Sequence, residues 1–120
     1  MILSIDFDGT ICELGWPEVG PMKPEADIYI RKLYEDGHDI IINTCRTGKY
    51  EGLAQDFLDK AKIPYHYINS NLPTLVQMYG QDCRKISADL YVDDKCLMGL
   101  PETWKEIYDL IQYRILKHEV

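Results

Sequence analysis

The chain lacks an apolar run long enough for a membrane: none reaches the ~18 residues that a span requires. It also lacks a charged-then-apolar leader. The expectation is therefore a cytoplasmic protein with no membrane partner. Cysteine is scarce, and Cys12, Cys45, Cys83 and Cys96 include no C-x-x-C pair. That spacing supports neither a zinc knuckle nor a thioredoxin-like site, and the four read as reduced thiols. Positive charge is short: 13 Lys and Arg against 20 Asp and Glu leave a net charge of −7. A phosphate backbone needs a positive face, so nucleic acid is disfavoured, with a local basic groove left open. No internal repeat and no low-complexity segment is present.

What remains is one domain's worth of chain. Its 120 residues suffice for a single core without staples. The N-terminus carries the sharpest signal, Ile2-Leu3-Ser4-Ile5-Asp6-Phe7-Asp8-Gly9-Thr10. Ile2, Leu3 and Ile5 read as a short buried strand. Asp6 falls at its end, and Asp8 next on the same side by strand alternation. Gly9 permits a sharp exit. Two acids on one face repel unless a cation lies between them. That cation is a metal ion, a cationic side chain or a proton.

Downstream, breakers at Gly15, Pro17, Gly20, Pro21 and Pro24 exclude a helix over 11–24. Ile11-Cys12-Glu13 and Glu18-Val19 are placed to pair as a small hairpin with Trp16 near its tip. Pro24 to Asp36 reads as a helix with an apolar stripe of Ala26, Ile30, Leu33 and Tyr34. Ile40-Ile41-Ile42 follows as a strand buried on both faces. Thr44 to Gly48 then opens a helix faced by Leu53, Phe57, Leu58 and Ala61. Tyr65 to Ile68 reads as a third strand, and Leu72, Leu75, Val76 and Met78 as a turn or two of helix before Gly80. Leu90-Tyr91-Val92 is a fourth strand. From Pro101 to Lys117, Trp104, Ile107, Tyr108, Ile111 and Ile115 mark a helix with an apolar face. Strands alternating with helices predict an α/β, three-layer Rossmann-like fold with a mainly parallel sheet, in a single domain over 1–120.

Polar residues of chemical interest cluster after the apolar strands: Asp6 and Asp8, Thr44, Asn69, Asp93 and Asp94. Open α/β sheets bind ligands beyond the carboxyl ends of their strands. Four acids at two strand ends, with no His or Cys cluster, favour a hard ion, Mg²⁺. Mg²⁺ takes one or two carboxylates plus substrate phosphate, which suits phosphoryl transfer.

Asp-x-Asp-Gly-Thr after a hydrophobic strand, a strand ending at Thr44, a lysine at Lys85 and the pair Asp93-Asp94 resemble, in order, the four motifs of the haloacid dehalogenase superfamily. The resemblance spans residues 1–94. It implies an Mg²⁺-dependent phosphatase working through an aspartyl-phosphate. Asp6 would be the nucleophile, and Asp8 the acid and base, with its backbone carbonyl on the metal. Thr44 would bind a phosphoryl oxygen, and Lys85, next to Arg84, would offset negative charge. Asp93 would bind Mg²⁺ directly, and Asp94 directly or through water. Gly9 and Thr10 would shape the turn and lend backbone N–H groups, and Arg46 would touch substrate. An acid at Asp8 favours phosphatases and phosphomutases over the superfamily's transport ATPases and dehalogenases, and the lack of a cap, which a mutase needs to retain its intermediate, favours a phosphatase.

Neither gap between the motifs has room for the inserted cap domain that many members carry. A capless member has an open site, roofed by the flap that follows the first strand or by a second copy in a homo-oligomer. Trp16 would then touch the leaving group or a partner subunit; its plain alternative is packing on the domain edge. Two other functions fit the same residues. One is a degenerate module that holds phosphate or metal without turnover. The other is a receiver-like signalling domain, which would not account for Gly-Thr after Asp-x-Asp. The substrate is a phosphorylated compound of a type the sequence does not name.

Overall fold

The computed structural model describes residues 1–119. Its elements run β1 (Ile2–Asp6), α1 (Ala26–Glu35), β2 (Asp39–Asn43), α2 (Gly48–Lys60), β3 (Tyr67–Ile68), α3 (Pro73–Tyr79), β4 (Leu90–Val92) and α4 (Trp104–Glu119). The strands form one sheet in the order β3-β2-β1-β4, and every pairing is parallel. Parallel neighbours must be joined by crossovers, which carry the helices onto the sheet faces. The fold is the three-layer, Rossmann-like α/β architecture.

Strand alternation divides the core. Leu3, Ile5, Ile40, Ile42 and Val92 pack on one face with Ile30, Leu33, Leu58, Trp104, Ile107 and Ile111 in a single cluster. These residues come from α1, α2 and α4, and α1 lies against α4. The opposite face carries Ser4, Ile41, Tyr67 and Tyr91 in register. There the segment after α3 provides cover. The Tyr91 hydroxyl donates to the Ile86 carbonyl, and Ile86 is buried. Buried Asn71 pins that segment through the Asp82 carboxylate, the Cys83 carbonyl and the Ser87 N–H.

Several boundaries differ from the sequence expectation. The first helix begins at Ala26 rather than Pro24, because Glu25 sits in the left-handed region at φ 66°. The last begins at Trp104 rather than Pro101, where the Thr103 hydroxyl accepts the Glu106 N–H as a cap. Leu53 is exposed, and Ala54 and Leu58 carry the buried face of α2. β3 is two residues long, because His66 bonds Ile40 with both its backbone N–H and its ring before the ladder starts.

The hairpin after β1 pairs in another register. Cys12 bridges Met22, Glu13 N–H donates to the Pro21 carbonyl, and Lys23 N–H donates to the Ile11 carbonyl. The returning arm is therefore 21–23, not Glu18-Val19. Gly20 makes the close return possible, since a Cβ there would lie 2.2 Å from the Glu13 carbonyl oxygen.

Candidate active site at the carboxyl ends of β1 and β4

The register Ile5↔Val92 sets the next residues, Asp6 and Asp93, side by side at the mouth of the sheet. Asp94 joins them, and one carboxylate oxygen from each of the three lies within 4.8 Å of the others. The turn after β1 is wound tightly: the N–H groups of Thr10, Ile11 and Cys12 all reach the Phe7 carbonyl. Gly9 adopts φ 85°, and a Cβ there would lie 2.3 Å from an Asp94 carboxylate oxygen. The glycine thus makes the turn and clears the space that Asp94 occupies.

Thr10 binds the two halves of the cluster. Its hydroxyl donates to Asp6 at 3.1 Å and accepts the Asp94 backbone N–H at 3.1 Å. Its own carbonyl accepts the indole N–H of buried Trp104 at 3.0 Å. Trp104, which the sequence places in the core, therefore also anchors the site from beneath.

Electrostatics follow from this crowding. Burial pushes the Asp6 carboxyl up to about 7, helped by hydrogen bonding to the Asp94 carboxyl and by the charge of Asp93; the Thr10 hydroxyl pulls the other way. Among the described residues the ion pairs are Arg31–Asp27, Arg46–Asp8 and Lys105–Asp109. None reaches Asp6, Asp93 or Asp94. An all-oxygen donor set without a cationic side chain fits a hard divalent ion.

Asp8 does not belong to the cluster. Strand pairing with β2 ends at Asp6, so alternation no longer governs two residues later. The Asp8 carboxylate instead meets Arg46 in a two-point pair, Nε and Nη2 each at 2.8 Å. Its cation is a side chain.

Arg46 itself is 1 % exposed. It also donates to the carbonyls of Pro17 at 2.9 Å, Glu18 at 2.9 Å and Tyr50 at 3.4 Å. Every guanidinium N–H is thereby engaged, and the pair with Asp8 raises its already high pKa. The expectation of Arg46 as a substrate contact is corrected: no donor is left for substrate. The expectation that Gly9 and Thr10 lend backbone N–H groups is corrected likewise. Gly9 N–H is bound to the Cys12 carbonyl and Thr10 N–H to the Phe7 carbonyl.

Thr44 stands at the end of β2. Its hydroxyl accepts the Arg46 N–H at 3.1 Å, which leaves its own proton free to donate. Its N–H is held by the Asn69 side chain at 2.8 Å. Asn69, in left-handed conformation at φ 55°, fastens β3 to β2 in this way. The sequence flagged it only by its place after a strand.

Lys85 lies elsewhere. It is exposed, its ammonium sits 5.4 Å from the centre of the Tyr91 ring, and it pairs with none of the clustered acids. Asn71 ties down the loop that carries it, a restraint with no signal in the sequence. Trp16 is 62 % exposed, its ring tilted against that of Tyr50 with centres 4.8 Å apart, and it lies 5.0 Å above the Arg46 guanidinium. It is presented on the flap and also rests on the domain edge, against Tyr50 of α2. Cys12 is buried, and burial raises its thiol to about 11. All four cysteines are free.

Fold and site together define an α/β protein with a carboxylate cluster at the mouth of a parallel sheet. No protein-family model and no curated protein matches the chain. A solved structure, described as that of the conserved protein coded by a locus from Bacteroides thetaiotaomicron, is similar to it. The two align with a TM-score of 0.85 and 29% identity, over 95% of this chain and 91% of that one. No helix among the described residues is long and apolar enough to cross a membrane.

Proposed function

We propose that the chain is an Mg²⁺-dependent phosphatase of the haloacid dehalogenase type, acting through an aspartyl-phosphate. The observation that carries this reading is the convergence of the Asp6, Asp93 and Asp94 carboxylates at the ends of two adjacent parallel strands, with no cationic side chain among the described residues paired to them. Asp6, Asp93 and Asp94 would hold the ion, joined by the backbone carbonyl of Asp8. When bound, the ion supplies charge neutralisation for a phosphoryl group approaching the acids.

Asp6 attacks phosphorus, the leaving oxygen departs, and water then cleaves the acyl phosphate to free Asp6 and phosphate. Asp8 serves the two proton transfers. To protonate the leaving oxygen it must carry the proton on a lone pair that Arg46 does not occupy. As a base for water it has lone pairs that Arg46 leaves free. Thr44 contributes the donor proton that its bond with Arg46 does not use.

The test is hydrolysis of an aryl phosphate with and without Mg²⁺, on wild type and Asp6→Asn. Mg²⁺-dependent release that Asp6→Asn abolishes supports the reading. Equal release by a folded Asp6→Asn protein refutes the covalent route. One observation favours a second reading, a module that holds metal or phosphate without turnover: Lys85 sits over the Tyr91 ring and forms no ion pair with the clustered acids. Mg²⁺-dependent stabilisation without any turnover across a panel of phosphate esters would select it.

A further inference from the structure

The flap tip, residues 14–20, is tied to the body of the protein in an unusual way. Among the described residues, none of its backbone groups takes part in backbone hydrogen bonding; that begins with the stem pairs at Glu13–Pro21 and Lys23–Ile11. Its hydrogen bonds to the rest of the chain are those that the Pro17 and Glu18 carbonyls accept from Arg46. The same guanidinium holds both oxygens of Asp8 and lies beneath the exposed ring of Trp16. Asp8 has no hydrogen bond to the tip; Arg46 stands between them. A planar fork whose donors are all committed cannot shift toward one partner without loosening another. Lysine, with one compact ammonium, cannot reproduce this arrangement.

We propose that Arg46 is a positioning residue that couples the flap tip to Asp8, so that displacing Trp16 and its neighbours changes the posture of the Asp8 carboxylate. The coupling rests on the geometry alone; its consequence for turnover rests on the phosphatase reading above. A group seated against Trp16 would then be sensed at Asp8 without touching it.

Cleavage by a Glu-specific protease after exposed Glu18 in the tip, compared with cleavage after Glu106 in α4, separates local loosening from global unfolding. In Asp8→Asn and in Arg46→Lys the Glu18-to-Glu106 ratio should rise about tenfold, the size expected of residues sharing one hydrogen-bond network. Asp8→Asn retains the side-chain shape, so the test does not depend on the Arg46 variant folding. In the activity arm, Arg46→Lys should lower kcat for an aryl phosphate about tenfold while KM and the Mg²⁺-induced rise in Tm stay near wild type. A wild-type ratio in Asp8→Asn overturns the coupling. A raised ratio with unchanged kcat in Arg46→Lys overturns the positioning role. If the wild type shows no Mg²⁺-dependent turnover, the phosphatase reading fails, and the protease arm still decides the coupling.

Discussion

Replacing Asp6 by asparagine should make the metal-free protein more stable at pH 8 while removing its nucleophile. The native carboxyl is raised from 3.8 to about 7, first by burial and then by its acidic neighbours. A raised native pKa means that the folded state holds the proton more tightly than the unfolded chain. The resulting cost is absent below pH 4, grows as pH climbs from 4 to 7, and is complete above 7. That gap corresponds to roughly 4 kcal/mol at ~1.4 kcal/mol per decade. Asp6 is partly open to solvent, so screening brings the figure to about 2 kcal/mol. For a domain of this size that is a Tm difference of about 8 °C. The asparagine amide avoids the cost at every pH, and its Oδ1 still accepts from Thr10. The assay is thermal unfolding of both proteins in chelator at pH 4, 6 and 8. The gain should be near zero at pH 4 and largest at pH 8. Saturating Mg²⁺ should then raise the wild-type Tm more than that of the variant, since an ion at ~100 times its Kd adds about 2.7 kcal/mol. A gain that is equal at pH 4 and pH 8, or a variant less stable than wild type at pH 8, would refute the argument that the clustered acids strain the metal-free fold.

Gly9→Ala should cost about 1–2 kcal/mol for the left-handed backbone. Because its Cβ would displace Asp94, it should also blunt the Mg²⁺-induced rise in Tm; melts with and without the ion check both effects. Trp104→Phe should lower the urea midpoint by the equivalent of about 1–3 kcal/mol, since it leaves the Thr10 carbonyl without its donor. A variant with a wild-type midpoint would show that this bond contributes nothing to stability. Lys85→Ala should leave turnover within about twofold of wild type, because its ammonium lies over Tyr91 and is paired with none of the acids. Loss of activity in that variant would mean that the lysine swings into the site when substrate binds.

The sequence alone determined the α/β class and the parallel sheet. Unbroken apolar runs such as Ile40-Ile41-Ile42 are soluble only when covered on both faces, and single helical stretches between strands force parallel crossovers. It also determined which strand ends carry acids, because Asp6 and Asp93 directly follow β-forming runs. Tertiary structure decided how those acids divide. Register brought Asp93 and Asp94 to Asp6, whereas the turn at Gly9 ended the alternation and delivered Asp8 to Arg46. No local pattern shows that an arginine after β2 will be buried with four of its five donors spent on an acid and a flap, since those partners lie 28 to 38 residues away in sequence. The same holds for Lys85, whose distance from the acids depends on how Asn71 folds the loop after α3. Apolar periodicity is a local quantity and was legible in the chain; the pairing of charges across strands depends on register and loop path, which only the folded chain fixes.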